Sequence, residues 1–160
     1  MQKYQSPDIQ GFDFSKKFIS KEVFKNNWVI LYFYPRDLTP GCTIEAQDFQ
    51  NLHEEFENLN TIVVGVSKDS CESHKKFIDK LGLRFLLLSD ESGRLAEDFG
   101  VWKEKVNYGK RYIGIERSTF IINPAGDIVQ EWRKVKTLGH AQKVLETLQD
   151  LKKQALKPQR

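Results

Sequence analysis

Two apolar runs joined by a helical segment constrain the fold of this chain more than any other feature. Residues 28–34 (WVILYFY) are almost continuously apolar and aromatic, and residues 61–67 (TIVVGVS) form a second, β-branched run. Such runs predict strands that are buried on both faces of a sheet. A helix between them makes a strand–helix–strand unit with parallel strands. Because ligand sites in such sheets lie at the carboxyl ends of the strands, we expect a site just after the first run.

The segment after the first run leads to a cysteine at a helix start. Pro35 ends the strand, because proline has no N–H to donate to a neighbouring strand. Apolar residues recur at steps of three and four over residues 49–59, which predicts one apolar helical face. Thr39 or Gly41 is expected to cap this helix, which places Cys42 in its first turn, at the positive end of the helix dipole.

A cysteine at this position has two interpretations. The thiolate is the reactive form of the side chain, and helix N-termini and nearby cations favour it. Unpaired N–H groups of a first helical turn also hold anions. The alternative is a small apolar side chain that fills a gap in the core, which is common for free cysteines. The turn before Cys42 contains two prolines and the residue opens the helix, so the pattern favours a reactive thiol.

Several separated motifs resemble one family. Pro35, Thr39 and Cys42 form P-x-x-x-T-x-x-C within YPRDLTPGCTIEAQDF, and GVSKDSCESHKKF, LLSDESG and GVWKEKVNYGKRYIGIERSTFIINPAGDI follow in order. These motifs resemble the peroxiredoxins, and within them the bacterioferritin comigratory protein, or peroxiredoxin Q, subfamily. The resemblance implies that Cys42 is the peroxidatic cysteine. It also implies that Thr39 donates to and accepts from a bound hydroperoxide, and that Pro35 shields the pocket from water.

The resemblance assigns a cation and its supports as well. Arg117 precedes the predicted strand STFII and corresponds to the active-site arginine, a planar cation that stabilises the thiolate and donates to the peroxide oxygens. Without the resemblance, an ordinary arginine at a strand end is the simpler interpretation. Glu45 and Arg36 match family positions and are expected to support Arg117, although a surface ion pair is an equal alternative.

The chain departs from the subfamily pattern at the resolving cysteine. Many members carry it five residues after the peroxidatic one, where this chain has Gln47, and others carry it on the next helix, at Ile78. The second cysteine of this chain, Cys71, is the remaining candidate. It shares a helical stripe with His74, so a buried apolar role is the alternative. The interpretation that we favour is a one-cysteine mechanism, in which the sulfenic acid of Cys42 waits for an external thiol.

The order of predicted elements, β–α–β–α–β–α–β–β–α, is typical of a thioredoxin-like α/β fold. We expect a central mixed sheet flanked by helices, with an N-terminal extension of short edge strands over residues 1–20. The length suits one core, so residues 1–160 are predicted to form a single domain. Residues 102–112 are polar and are predicted to form a surface loop or hairpin. Residues 123–126 (NPAG) indicate a hairpin turn.

Composition excludes several classes of function. The net charge of +3 gives no sign of a nucleic-acid partner. No apolar run is long enough to span a bilayer, and the N-terminal residues lack the apolar core of a signal peptide, so no membrane contact and a cytoplasmic location are expected. His53, His74 and His140 lack metal-ligand spacing, and no glycine-rich phosphate loop is present. We therefore predict neither a metal nor a cofactor.

The predicted activity is the reduction of hydrogen peroxide or an organic hydroperoxide by the Cys42 thiolate, which becomes a sulfenic acid. Thioredoxin or a small thiol is the expected reductant, and the protein is expected to act as a monomer in antioxidant defence. A thiol–disulfide oxidoreductase is one alternative, but residues 42–45 (CTIE) lack the second thiol of a Cys-x-x-Cys motif. A redox-sensing or chaperone-like thioredoxin-fold protein is the other alternative.

Overall fold

The computed structural model describes residues 2–156, which are organised around an eight-stranded sheet. The strands are β1 (Tyr4–Gln5), β2 (Gly11–Phe12), β3 (Phe18–Ile19), β4 (Trp28–Phe33), β5 (Thr61–Ser67), β6 (Leu86–Ser89), β7 (Trp102–Asn107), β8 (Lys110–Ile115), β9 (Ser118–Ile122) and β10 (Asp127–Trp132). The α-helices are α1 (Pro40–Asn51), α2 (His53–Asn58), α3 (Cys71–Leu81), α4 (Arg94–Asp98) and α5 (His140–Ala155). A short 3₁₀ helix, Lys21–Phe24, precedes β4.

The sheet is mixed, with strand order β1-β10-β9-β4-β5-β6-β2-β3. Strands β4, β5 and β6 are parallel, whereas β9 runs antiparallel to β4 on its other side. The carboxyl end of β4 therefore meets the beginning of β9, since Phe33 pairs with Ser118. This arrangement confirms the predicted thioredoxin-like α/β fold.

Both faces of β4 are covered, which explains its continuous apolar sequence. Ile30 and Tyr32 belong to a buried cluster that includes residues of α1, α2, α3 and α5. Val29, Leu31 and Phe33 belong to a second cluster, which α4 completes. The two hydrophobic clusters thus lie on opposite faces of one sheet, because successive side chains of a strand alternate between faces.

The predicted helix after Cys42 is divided in two. Helix α1 ends at Asn51, and Leu52 interrupts the helix with φ −100° and ψ 6° before α2 begins. Phe49 and Phe56 are both fully buried, so the predicted apolar face continues across the break. The prediction of a single helix was wrong because apolar spacing reports a buried face and not the backbone geometry between its turns.

Helix α3 begins at Cys71, and the hydroxyl of Ser70 caps it by accepting a hydrogen bond from the Ser73 N–H at 3.1 Å. Its buried residues, besides Cys71, are His74 and Phe77. Gly82 ends the helix in the left-handed conformation, with φ 65°.

Residues 102–115 form a hairpin, which was one of the two predicted alternatives. Strands β7 and β8 pair with each other in a separate two-stranded sheet. The hairpin between β9 and β10 turns at residues 123–126 as predicted, with Gly126 at φ 87°. Among residues 2–156, no helix is both long and apolar enough to cross a membrane.

Candidate active site

Cys42 lies in the first turn of α1, directly after the carboxyl end of β4. The helix begins at Pro40 with Thr39 as its N-terminal cap residue, so Cys42 is its third residue. Its side chain is only 2% exposed and belongs to the same buried cluster as Tyr32 and Phe49. The N–H groups of this first turn lack carbonyl partners within the helix, and they give the sulfur an environment that favours negative charge.

Arg117 places a guanidinium directly against this sulfur. The residue lies between β8 and β9, where the antiparallel pairing brings the start of β9 to the end of β4. Its Nη2 is 3.2 Å from Cys42 Sγ, and its Nη1 is 2.6 Å from Glu45 Oε1. Burial alone would lower the pKa of Arg117, but the neighbouring Glu45 and Cys42 outweigh it and raise that pKa. The guanidinium is therefore a permanent charge at the sulfur.

Glu45 is the buried partner of Arg117. It lies one helical turn after Cys42, and its side chain is 1% exposed. Burial raises the pKa of Glu45 to about 7, although Arg117 acts to lower it. The hydrogen bond to Glu45 fixes the direction of the guanidinium, because Glu45 holds Nη1 while Nη2 faces the sulfur.

Gly41 permits this close approach of Arg117. A β-carbon added at Gly41 would lie 3.3 Å from Nη2 of Arg117, which is tighter than an ordinary van der Waals contact. A larger residue at this position would push the guanidinium away from the sulfur. The glycine before Cys42 thus sets the distance between cation and thiol.

The other predicted site residues, Pro35, Arg36 and Thr39, lie in the turn between β4 and α1. Thr39 is the N-cap residue of α1, one of the two predicted, but its hydroxyl donates to the Arg36 carbonyl at 2.8 Å and makes no capping hydrogen bond. Pro35 is exposed at the end of β4, and Leu38 adopts a left-handed backbone with φ 64°. Arg36 is also exposed, and within residues 2–156 its guanidinium makes no hydrogen bond or ion pair. The structure therefore brings Glu45 to Arg117 but does not bring Arg36 there.

A buried polar network, which the sequence did not reveal, holds the turn before Cys42. The Asp37 carboxylate accepts hydrogen bonds from Tyr34 Oη at 2.6 Å and from Ser73 Oγ at 2.8 Å, and it lies 2.7 Å from His74 Nδ1. The other ring nitrogen of His74 faces the Leu88 carbonyl at 3.1 Å. Both ring nitrogens of His74 thus lie within hydrogen-bond distance of oxygen atoms, which fixes the imidazole in the buried space between Asp37 and β6.

The same network contains a spacing that a metal ion would need. Ligand atoms of Asp37, Asp69 and His74 lie within 4.8 Å of one another. However, Asp69 Oδ2 already accepts from the Asp37 N–H at 2.8 Å and from Ser67 Oγ at 2.6 Å. Hydrogen bonds thus account for the geometry of these side chains, and they tie the turn before Cys42 to the start of α3.

Cys71, the predicted candidate for a resolving thiol, is the first residue of α3. Its side chain is 7% exposed and lines a groove together with Phe12 and Phe18 of the N-terminal strands and Asp90 after β6. Both cysteines are free thiols. This burial agrees with the alternative interpretation, a buried apolar role for Cys71.

Lys105 is a second basic residue near the centre that sequence reasoning missed. It lies on β7 and is partly buried. Burial lowers the pKa of Lys105, and the charge of Arg117 lowers it further. The position of this hairpin relative to Cys42 cannot be inferred from the sequence. Lys105 was therefore not distinguished from the other surface lysines.

Comparison with known proteins identifies the family. The sequence model of the AhpC/TSA family matches residues 3–131. A protein of Bacillus subtilis named Peroxiredoxin Bcp is 48% identical over 147 residues, which cover 92% of this chain and 94% of that protein. The chain belongs to the peroxiredoxins of the AhpC/TSA family. The predicted resemblance to the bacterioferritin comigratory protein branch is thereby confirmed.

Solved structures agree with this assignment. The bacterioferritin comigratory protein of Xanthomonas campestris, described in connection with its alkyl peroxide reduction activity, has a TM-score of 0.84. It is 43% identical, and the match covers 89% of this chain and 91% of that one. As a peroxiredoxin, this protein is a thiol-dependent peroxidase, as the sequence predicted. It uses a peroxide substrate and a thiol reductant.

Proposed function

We propose that this peroxiredoxin reduces hydrogen peroxide and organic hydroperoxides through Cys42, with Arg117, Thr39 and Pro35 forming the substrate pocket. The observation that carries the assignment is the 3.2 Å approach of Arg117 Nη2 to Cys42 Sγ at the first turn of α1. A thiolate at this position faces a permanent cation and helix N–H groups at the same time. Both stabilise negative charge on sulfur and on the oxygens of a bound peroxide.

The proposed reaction is an in-line displacement. The thiolate attacks the terminal peroxide oxygen, an S–O bond forms, the O–O bond breaks, and the alkoxide or hydroxide that leaves takes up a proton. Thr39 contributes as an acceptor, because its own hydroxyl proton is directed at the Arg36 carbonyl and its lone pairs remain for the O–H of a peroxide. Pro35 is exposed and lies at the rim of the proposed pocket, where its side chain has no polar group that binds water.

Resolution of the sulfenic acid is assigned to an external thiol. Cys42 faces Arg117, whereas Cys71 lines a groove with Phe12 and Asp90. Each thiol is thus buried among different residues, in the first turn of its own helix. A disulfide needs Cα atoms about 4.4–6.8 Å apart. A direct Cys42–Cys71 bond would therefore require α1 and α3 to unwind, and a one-cysteine mechanism does not.

The proposal includes the setting of the reaction. Thioredoxin or a low-molecular-weight thiol resets the sulfenic acid, and the protein acts as a monomer. We place the protein in the cytoplasm, because a reducing compartment keeps thioredoxin and small thiols in the reduced form that this step needs.

A peroxide-consumption assay with a thioredoxin system tests the proposal. Wild type and Cys71→Ser are expected to turn over, and Cys42→Ser is expected to be inactive. Mass spectrometry after one equivalent of peroxide should show a sulfenic acid at Cys42 and no internal disulfide. Turnover by Cys42→Ser would refute the nucleophile. A stoichiometric Cys42–Cys71 linked peptide would instead replace the one-cysteine mechanism with a two-cysteine mechanism.

A further inference from the structure

Arg117 is one cation that faces two groups able to carry negative charge. Its Nη1 meets Glu45 and its Nη2 meets Cys42, at 2.6 Å and 3.2 Å. The side chains of Cys42 and Glu45 are 2% and 1% exposed, so little water compensates a surplus charge. If both groups were ionised, the buried centre would carry a net negative charge, and burying an uncompensated charge is costly.

The second oxygen of Glu45 shows which group gives up its charge. Glu45 Oε2 is buried and has no hydrogen-bond partner among residues 2–156, and the same holds for the hydroxyl of Tyr32. A carboxylate with one unsolvated oxygen is poorly stabilised, whereas a neutral carboxylic acid tolerates such a site much better. Burial, with a smaller contribution from Asp48, raises the pKa of Glu45 to about 7 even with Arg117 alongside.

No residue from another helix or strand places a second cation in contact with Glu45, within the part of the chain that the structure describes. Tyr32 on β4 is neutral, because burial and then Glu45 and Cys42 raise its pKa. His140 at the start of α5 is neutral at ordinary pH, because burial lowers its pKa to about 4. Lys105 on β7 makes no hydrogen bond or ion pair with Glu45, and the charges that act on its own pKa are those of Arg117, Glu116 and Cys42. Arg117 is thus the one cation that contacts Glu45 within the described residues.

We propose that Glu45 stores the proton that Cys42 gives up, so that the reduced enzyme holds a thiolate beside a neutral carboxylic acid. The inference rests on the proposed role of Cys42 as the reacting thiol. In the first step the S–H bond of Cys42 breaks and an O–H bond forms on Glu45, with no change of oxidation state. Water that reaches Arg117, whose side chain is 15% exposed, carries the proton between them.

The stored proton is released when the peroxide reacts. The thiolate forms an S–O bond, the O–O bond breaks, and the leaving alkoxide or hydroxide takes up one proton. The sulfenic acid that results is neutral, so Arg117 again has a single anionic partner available. Glu45 then ionises and releases one proton, which balances the one consumed. Glu45 acts here through proton exchange and does not contact the substrate.

Infrared difference spectroscopy provides the first test. The spectrum of reduced protein minus that of protein treated with one equivalent of peroxide is recorded above neutral pH. Wild type is expected to lose a protonated-carboxyl band on oxidation. Glu45→Gln should lack this band, while Glu55→Gln, a matched change at an exposed residue of α2, should retain it. Cys42→Ser should show no peroxide-dependent change in any carboxyl band.

The pH dependence of the peroxide reaction provides the second test, measured by stopped-flow tryptophan fluorescence. Two coupled groups ionise in two macroscopic steps. The rate constant of wild type should therefore change in two steps, one as the Cys42 thiolate forms and one as Glu45 loses its proton, whereas Glu45→Gln should show one. A role of Glu45 limited to orienting Arg117 would change the size of the rate constant and leave the number of steps unchanged.

The outcomes separate the two proposals. A protonated-carboxyl band that persists in Glu45→Gln, or one ionisation in both proteins, overturns the proton store. If Cys42→Ser is inactive in that case, the proposed function stands without it. Peroxide reduction by Cys42→Ser would overturn the proposed function itself, whatever the infrared spectra show.

Discussion

Replacing Gly41 with alanine tests whether the distance between Arg117 and Cys42 sets the rate of peroxide reduction. The new β-carbon would lie 3.3 Å from Arg117 Nη2, so the guanidinium has to move. A shift of about 0.4 Å lengthens the 3.2 Å contact to about 3.6 Å and, at an effective dielectric constant of about 20, removes about 0.6 kcal/mol of attraction. If the transition state loses this amount, the rate constant falls about threefold.

The same substitution should not weaken the fold, and this separates the distance effect from unfolding. Gly41 lies in the first turn of α1 and has no positive φ. In a helix, alanine is more stable than glycine by roughly 0.5–1 kcal/mol. We expect a slower reaction by stopped-flow fluorescence together with an unchanged or higher melting temperature. Gly11→Ala on β2 is the control, since its added β-carbon would meet its nearest neighbour at 3.8 Å. A Gly41→Ala protein that reacts at the wild-type rate, or that loses rate and stability together, would refute the reasoning.

Three further predictions concern charge. Arg117→Ala should slow peroxide reduction by about 10²–10³, the usual cost of one lost stabilising donor, and Arg117→Lys should recover only part of it, which rapid kinetics would measure. Asp37→Asn replaces the carboxylate that accepts from Tyr34 and Ser73 and faces His74, so it should lower the free energy of unfolding by about 1–3 kcal/mol in urea titrations; an unchanged free energy would contradict a stabilising role of this network. Burial lowers the pKa of His140 from 6.5 to about 4, so its neutral form stabilises the fold fully above pH 6.5 and loses this effect as the pH falls toward 4. His140→Gln should flatten that part of the stability profile, and an unchanged profile would show that another group is responsible.

The main elements of the site were predictable because they depend on local patterns. The apolar run of β4, the proline that ends it and the periodicity after Cys42 are all sequence-local, and together they place the cysteine at a helix start beside a strand end. The partner of the cysteine was not predictable from such patterns. Only the family resemblance singled out Arg117, since an arginine before a strand has no distinguishing local signal.

The features that sequence reasoning missed depend on contacts between distant segments. The carboxylate of Asp37 and the imidazole of His74 are 37 positions apart and meet only because β4 and β5 are neighbours. The break at Leu52 was missed for a different reason, because both helices bury the same apolar face against one core. Thr39 has the residue type of a helix cap, but its hydroxyl is directed at the turn instead.

The antiparallel pairing of β9 with β4 also makes the reactive centre dependent on the order of folding. Cys42 and Arg117 are 75 positions apart in the chain, and they meet only when β9 docks against β4. Contacts between such distant residues form slowly, because closing the intervening chain into a loop costs conformational entropy. During synthesis the cysteine therefore leaves the ribosome well before its cation exists. Until the sheet is complete, the nascent chain carries a thiol without its activating partner, and peroxide has no preferred target on it.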